Sequence, residues 1–228
     1  GWKEYVNPDA NEATVDDFFR DLSNRAFLHP RFFTGQSIAG LHHHNPLVYK
    51  YCHANFMAPY LIRRFNLKAI LLDRHVCQII ASRKKYGGFF QGKRAYPIDK
   101  AQSKNSSKIF NLHESARSEM IRSSAGEHAW NYCLIRTLQG KIPAEQILKI
   151  DFEQLVNAPD EIAAKINSYC GTTLNGASFS ERSKTSVELT SNKDDYLSKW
   201  KSRLSVEEIH EIKEIVHDVF GFYEIPFD

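Results

Sequence analysis

The sequence predicts an α/β fold: a parallel sheet flanked by helices, built as one domain over residues 1–228. Two observations carry this. Short apolar runs the length of buried strands alternate with segments of helical periodicity, and sheets built this way are parallel, with helices over both faces. A polar cluster also follows each apolar run, at the carboxyl edge where open α/β sheets bind ligands. A hydrophobic fraction of 42% is enough for a core of this size.

Residues 1–13 are polar and read as a loop. Thr14 to Phe27 reads as a helix. Thr14 and Asp17 form a capping-box-like start, and Val15, Phe18, Phe19 and Leu22 form its apolar face. Residues 28–45 are irregular and include His42, His43 and His44. Adjacent side chains point in different directions, so this run reads as a solvated loop rather than a metal site. Pro46–Lys50 is the first candidate strand, followed by His53 and a helix from Ala54 to Phe65, which Pro59 kinks or restarts.

Leu67–Asp73 is the second strand, and His75–Tyr86 the helix after it, with Val76, Ile79, Ile80 and Arg83 at helical spacing. Arg74 stands at the turn between them, and Ser82 lies eight positions later. A fixed guanidinium and a hydroxyl at the end of a strand suit an anion such as a phosphate. Residues 87–112 form a long loop. Its basic flank (Arg83, Lys84, Lys85, Lys93, Arg94, Lys100, Lys104, Lys108 against Asp99) is either a surface for an anionic acceptor or a solvated basic loop. His113–Leu138 reads as one long helix with Met120, Ile121, Trp130, Leu134 and Leu138 inward, closed by Gly140.

Ile147–Ile150 is the third strand, ending at Asp151, Phe152 and Glu153. A helix starts around Asn157–Asp160 with Pro159 in its first turn, runs to Cys170 and ends at Gly171. Residues 172–194 read as a loop. Tyr196–Arg203 places Trp200 between Lys199 and Lys201. Ser205 and Glu208 form a capping box that opens a last helix to Phe220, ended by Gly221. Three polar groups then converge at one sheet edge: Lys50 with His53, Arg74 with Ser82, and Asp151 to Glu153.

A net charge of +3 permits an anionic ligand without demanding nucleic acid. Four separated cysteines (Cys52, Cys77, Cys133, Cys170) with no CxxC pair read as reduced thiols of a cytoplasmic protein. No apolar run approaches a membrane span.

Four segments together resemble the sulfotransferases that use 3′-phosphoadenosine 5′-phosphosulfate (PAPS). Lys50-Tyr-Cys-His53 resembles the family's Lys-x-His segment, with one extra residue. Leu71-Leu-Asp-Arg74 with Ser82 resembles its 3′-phosphate-binding strand-turn-helix. Ile150-Asp-Phe152-Glu153 through Pro159 resembles its Tyr-Glu-Asp-Leu…Pro segment. Lys199-Trp200-Lys201 through Leu204 resembles the Trp-(Arg/Lys)-x-x-Leu segment before the last helix. The ordered set covers Lys50 to the end.

The resemblance implies a P-loop-nucleotide-hydrolase-like sulfotransferase fold. It also implies transfer of a sulfuryl group from PAPS to a hydroxyl acceptor, a carbohydrate or small molecule, with no metal required. Arg74 and Ser82 would bind the 3′-phosphate. Phe152 would stack near adenine or serve as a core aromatic. Lys199 and Lys201 would cover the nucleotide phosphates. Lys50 would offset charge on the bridging oxygen, and His53 would act as general base or, alternatively, as a helix cap. The family's first motif, a strand and a Gly- and Ser/Thr-containing loop that cradles the 5′-phosphosulfate, does not occur in the 228 residues. The expectation is that it precedes Gly1; the alternative is a non-catalytic nucleotide- or polyanion-binding relative.

Overall fold

A computed structural model describes residues 55–85, 114–177 and 197–227, together with Ala13, Asp16, Asp17 and Arg20 of a preceding helix. The described chain is mostly helical around a two-stranded parallel sheet, so the α/β expectation holds in this coarse form. The predicted strand Pro46–Lys50, the loops 28–45 and 87–112 and most of Thr14–Phe27 lie outside the described residues.

Helix α1 (Ala58–Phe65) has Pro59 in its first turn, where the missing N–H costs no hydrogen bond. Strand β1 (Ala69–Asp73) leads into α2 (Val76–Lys85), as the change of periodicity predicts. Strand β2 (Ile147–Asp151) pairs with β1 in parallel, in the register Ala69↔Ile147 to Asp73↔Asp151. Parallel strands need a long crossover, and here α2, α3 (Glu114–Met120) and α4 (Ser124–Gln139) lie between them in sequence. After β2 come α5 (Phe152–Asn157), α6 (Pro159–Cys170), α7 (Trp200–Arg203) and α8 (Val206–Lys213), the last continuing as a π-helical stretch, Glu214–Val219. Gly171 and Gly221 end α6 and the π stretch at φ of 71° and 72°, a conformation that costs other residues more. The Ser205–Glu208 capping box has both of its reciprocal hydrogen bonds.

The single long helix expected over His113–Leu138 is two helices. The cause is a carboxylate from far away in sequence. Glu211 of α8 is buried, and it accepts hydrogen bonds from the backbone N–H groups of Arg122 (2.6 Å) and Ser123 (3.0 Å) and from Ser123 Oγ (2.6 Å). Ser123 Oγ in turn accepts from the N–H groups of Ala125 and Gly126. The backbone donors that open at the break are thus satisfied, and a negative charge sits at the N-terminus of α4, where the helix dipole favours it. The close approach requires a glycine: a Cβ on Gly126 would lie 1.9 Å from Glu211 Oε1.

The main core is the seam between α4 and the α8–π helix. Trp130, Leu134, Leu138, Ile212, Ile215 and Val216 are fully buried there, with Val76, Cys77 and Ile80 of α2. Each large apolar side chain buried in this way contributes about 1.5–3 kcal/mol, so this seam outweighs the short sheet as a source of stability. A smaller cluster, Ile150 with Ile162 and Ile166, seats α6 on β2. Among the described residues, Ile70 and Leu72 of β1 are 46% and 50% exposed, so the described helices leave part of the sheet uncovered.

Arg83 and Lys84, read as part of a basic surface, are engaged within the fold. Lys84 Nζ pairs with Glu208 at 2.7 Å, and Arg83 Nη1 lies 3.0 Å from Nδ1 of the buried His128 on α4. Burial, and then the Arg83 charge, lowers the His128 pKa to about 4. Cys77, Cys133 and Cys170 are free thiols, and burial pushes Cys77 up to about 12. Among the described residues no helix is long and apolar enough to cross a membrane.

Two outcomes are expected. Gly126→Ala drives Glu211 from its donors and lowers the urea-unfolding free energy by about 1–3 kcal/mol, the cost of stranding buried polar groups. An unchanged midpoint would mean that Glu211 repositions at no cost. Because His128 titrates lower in the folded than in the unfolded chain, its stabilising effect is complete above pH 6.5 and is lost as the pH falls towards 4. Urea midpoints across that window should fall with acidification, and His128→Gln should flatten the dependence.

Candidate functional site

The site forms at the edge where both strands end. Asp73, the last residue of β1, accepts the Arg74 backbone N–H at 3.0 Å and so starts the turn into α2. Arg136 of α4 anchors the same carboxylate through Nη1 at 2.7 Å and also reaches Glu224 at 3.2 Å. Asp151, the last residue of β2, accepts from the N–H groups of Glu153 and Gln154 and caps α5. Phe152 is therefore the first residue of α5. The register Asp73↔Asp151 sets it beside Arg74.

The Arg74 guanidinium lies over the Phe152 ring, 4.6 Å from its centroid. Its Nε donates to Gln78 Oε1 at 2.8 Å. Gln78 is buried, one helical turn beyond Arg74, and its amide group donates twice: to Glu153 Oε1 at 3.0 Å and to the Leu197 carbonyl at 3.0 Å. Every strong hydrogen-bonding position of the carboxamide nitrogen is used. One side chain thus joins the β1–α2 turn, the start of α5 and the segment that precedes α7.

That segment also docks through His75. The His75 ring stacks on Trp200, with centroids 5.1 Å apart and planes 16° apart, and meets Phe227 edge-on. His75 Nδ1 accepts the Cys77 N–H at 3.2 Å, and Nε2 lies 2.5 Å from the Pro226 carbonyl. A carbonyl only accepts, so Nε2 carries the proton. Burial lowers the His75 pKa and favours this neutral form. With both ring nitrogens engaged, His75 is a structural histidine and not a base.

The structure brings Arg74 and Phe152 into direct contact. Lys199 and Lys201 lie on the segment tied down by Gln78, with the Lys201 ammonium 5.5 Å from the Trp200 ring centroid. Ser82 is half-buried in α2, two turns beyond Arg74 and on the row that runs through Gln78. Lys50 and His53 lie outside the described residues, as do His42, His43 and His44. Among the described residues no group of three or more His, Cys, Asp or Glu side chains is placed to hold a metal ion. Sequence reasoning missed Gln78. Its one signal was a polar amide at i+4 from Arg74, in a helix whose Val76, Cys77, Ile80 and Ala81 are buried. Arg136 gave no signal, since its partner Asp73 is 63 positions away.

Chemically, the edge presents an oriented guanidinium, an aromatic ring and two lysines on an adjoining segment. Glu153 supplies a carboxylate close by, whose charge opposes that of any anion at this edge. No protein-family model, curated protein or solved structure matches this chain.

Proposed function

We propose that the carboxyl edge of β1 and β2 binds the 3′-phosphate end of a 3′,5′-bisphosphorylated nucleotide, and that the protein is a PAPS-dependent sulfotransferase of P-loop-nucleotide-hydrolase-like fold. The observation that supports this best is the contact between Arg74 and Phe152. Two segments chosen from the sequence for their likeness to nucleotide-binding segments of that family, 78 residues apart in the chain, meet at one sheet edge. Arg74 gives the phosphate a charge-assisted contact, with Ser82 of the following helix as the second donor. Phe152 borders the adenine, and Lys199 and Lys201 approach the phosphates from the α7 side.

In the reaction, an acceptor hydroxyl on a carbohydrate or small molecule attacks the sulfur of PAPS in line with the bridging oxygen. The new O–S bond forms as the bond from sulfur to the phosphate oxygen breaks. His53 takes the hydroxyl proton, Lys50 offsets charge on the departing oxygen, and adenosine 3′,5′-bisphosphate leaves. No metal takes part. A second reading, a non-catalytic nucleotide- or polyanion-binding module of the same fold, draws support from the same Arg74–Phe152 contact, which serves binding without turnover.

Calorimetry with adenosine 3′,5′-bisphosphate on the full-length gene product tests the site. Binding is expected, with Arg74→Ala weakening it by at least ~1.5 kcal/mol, the worth of a hydrogen bond to a charged group. No binding by the wild type overturns the nucleotide reading, and an unchanged affinity in the variant moves the site elsewhere. Labelled-sulfate transfer to a panel of hydroxyl acceptors then separates the enzyme from the module. In that assay His53→Ala should lower turnover more than nucleotide affinity.

A further inference from the structure

The geometry points to Gln78 as a positioning residue that couples Arg74 to the Leu197–Leu204 segment, so that the orientation of the phosphate-binding guanidinium and the seating of Lys199 and Lys201 are one event. The functional side of this inference rests on the nucleotide reading above; the mechanical side does not. A primary amide is the one side-chain group here that can accept from a guanidinium and donate to two oxygens at once. Gln78 does all three: it accepts from Arg74 Nε (2.8 Å) and donates to Glu153 Oε1 and to the Leu197 carbonyl (both 3.0 Å). It is 3% exposed, so a lost partner is not replaced by water. If Arg74 turns away, the carboxamide loses its acceptor role and the orientation that aims its two N–H groups.

The Leu197 carbonyl lies three residues from Trp200, whose ring is stacked on His75, the residue next to Arg74. Among the described residues, the segment is thus held by Gln78 of α2 and by His75 of the β1–α2 turn. Lys199 lies between the two anchor residues, and Lys201 directly follows Trp200. A ligand that fixes Arg74 would fix Gln78, and through it the lysine-bearing segment.

Peptide-resolved amide hydrogen exchange on the full chain tests the coupling without ligand. Gln78→Leu should speed exchange across 197–204 by about fivefold or more while leaving α4 unchanged, because the opening is local. Arg74→Ala should speed it too, but should add nothing in the Gln78→Leu background, which is the signature of coupled residues in a double-mutant cycle. Gln78→Glu provides a second route. It is nearly isosteric and keeps an acceptor for Arg74, but sets an oxygen against both Glu153 and the Leu197 carbonyl, so it should open the same segment. Unchanged exchange in both Gln78 variants, or independent effects of Arg74 and Gln78, would overturn the coupling. In the ligand arm, adenosine 3′,5′-bisphosphate should slow exchange across 197–204 in the wild type and not in Gln78→Glu. Equal protection in both would overturn the functional side. A wild type that does not bind the bisphosphate removes the nucleotide reading and with it the functional side, and the ligand-free cycle still decides the role of Gln78.

Discussion

Two parallel strands must end at the same edge, and their register decides which residues meet there. In this chain the register sets Asp73 directly opposite Asp151. Like charges opposite each other on a sheet are unfavourable, yet both carboxylates are used. Asp73 accepts from Arg136 and from the Arg74 N–H; Asp151 accepts from the N–H groups of Glu153 and Gln154. Each aspartate ends a strand and begins a turn into helix. The residue after each one, Arg74 or Phe152, is thereby delivered to the edge. Slipping the register by one residue would turn the side chains of one strand to the opposite face and part this pair.

The sheet that imposes this constraint is too small to stand alone, since isolated two-stranded pairs are marginal in water. Its support is asymmetric. The register places Ile70 and Leu72 on the same face as Leu148 and Ile150. Helix α6 covers the β2 half of that face through Ile162 and Ile166, while Ile70 and Leu72 stay half exposed. At the carboxyl end of β1, Arg136 reaches from α4 to Asp73, and Trp130, Leu134 and Leu138 of α4 share one buried cluster with Ile212 of α8. The edge of the sheet is therefore positioned by the helical core, through an ion pair that is three-quarters buried on the arginine side.

What the sequence made legible follows from the range of the interactions involved. The β1–α2 unit, the Pro159 start and Gly171 end of α6, and the Ser205–Glu208 box were all visible, because their determinants lie within a few residues of one another. The break at 121–123 was not visible. Met120 keeps helical register with Leu138 across it, and although Ser123 is a local N-cap for α4, the Glu211 carboxylate that holds the opened backbone is 88 and 89 positions away. His75 could be read as the start of a helix, but not as the floor for Trp200, nor as the donor to Pro226, which is 151 positions distant. In the candidate site the charged and aromatic residues were legible by type, and the neutral one that organises them was not.

That neutrality bears on what the edge can bind. Gln78 stands between a guanidinium and a carboxylate, Arg74 and Glu153, and forms hydrogen bonds to both. A carboxamide passes on hydrogen bonding and orientation but contributes no net charge of its own. A carboxylate in its place would add a second negative charge beside Glu153 and weaken attraction for any phosphate. Among the described residues, Gln78 holds Arg74 at Nε and Phe152 lies beneath its plane, which restricts its rotamers. Much of the ordering that binding would otherwise require is thus built into the fold. A group held in this way recognises an anion by direction as well as by charge, whereas a flexible surface arginine does so by charge alone.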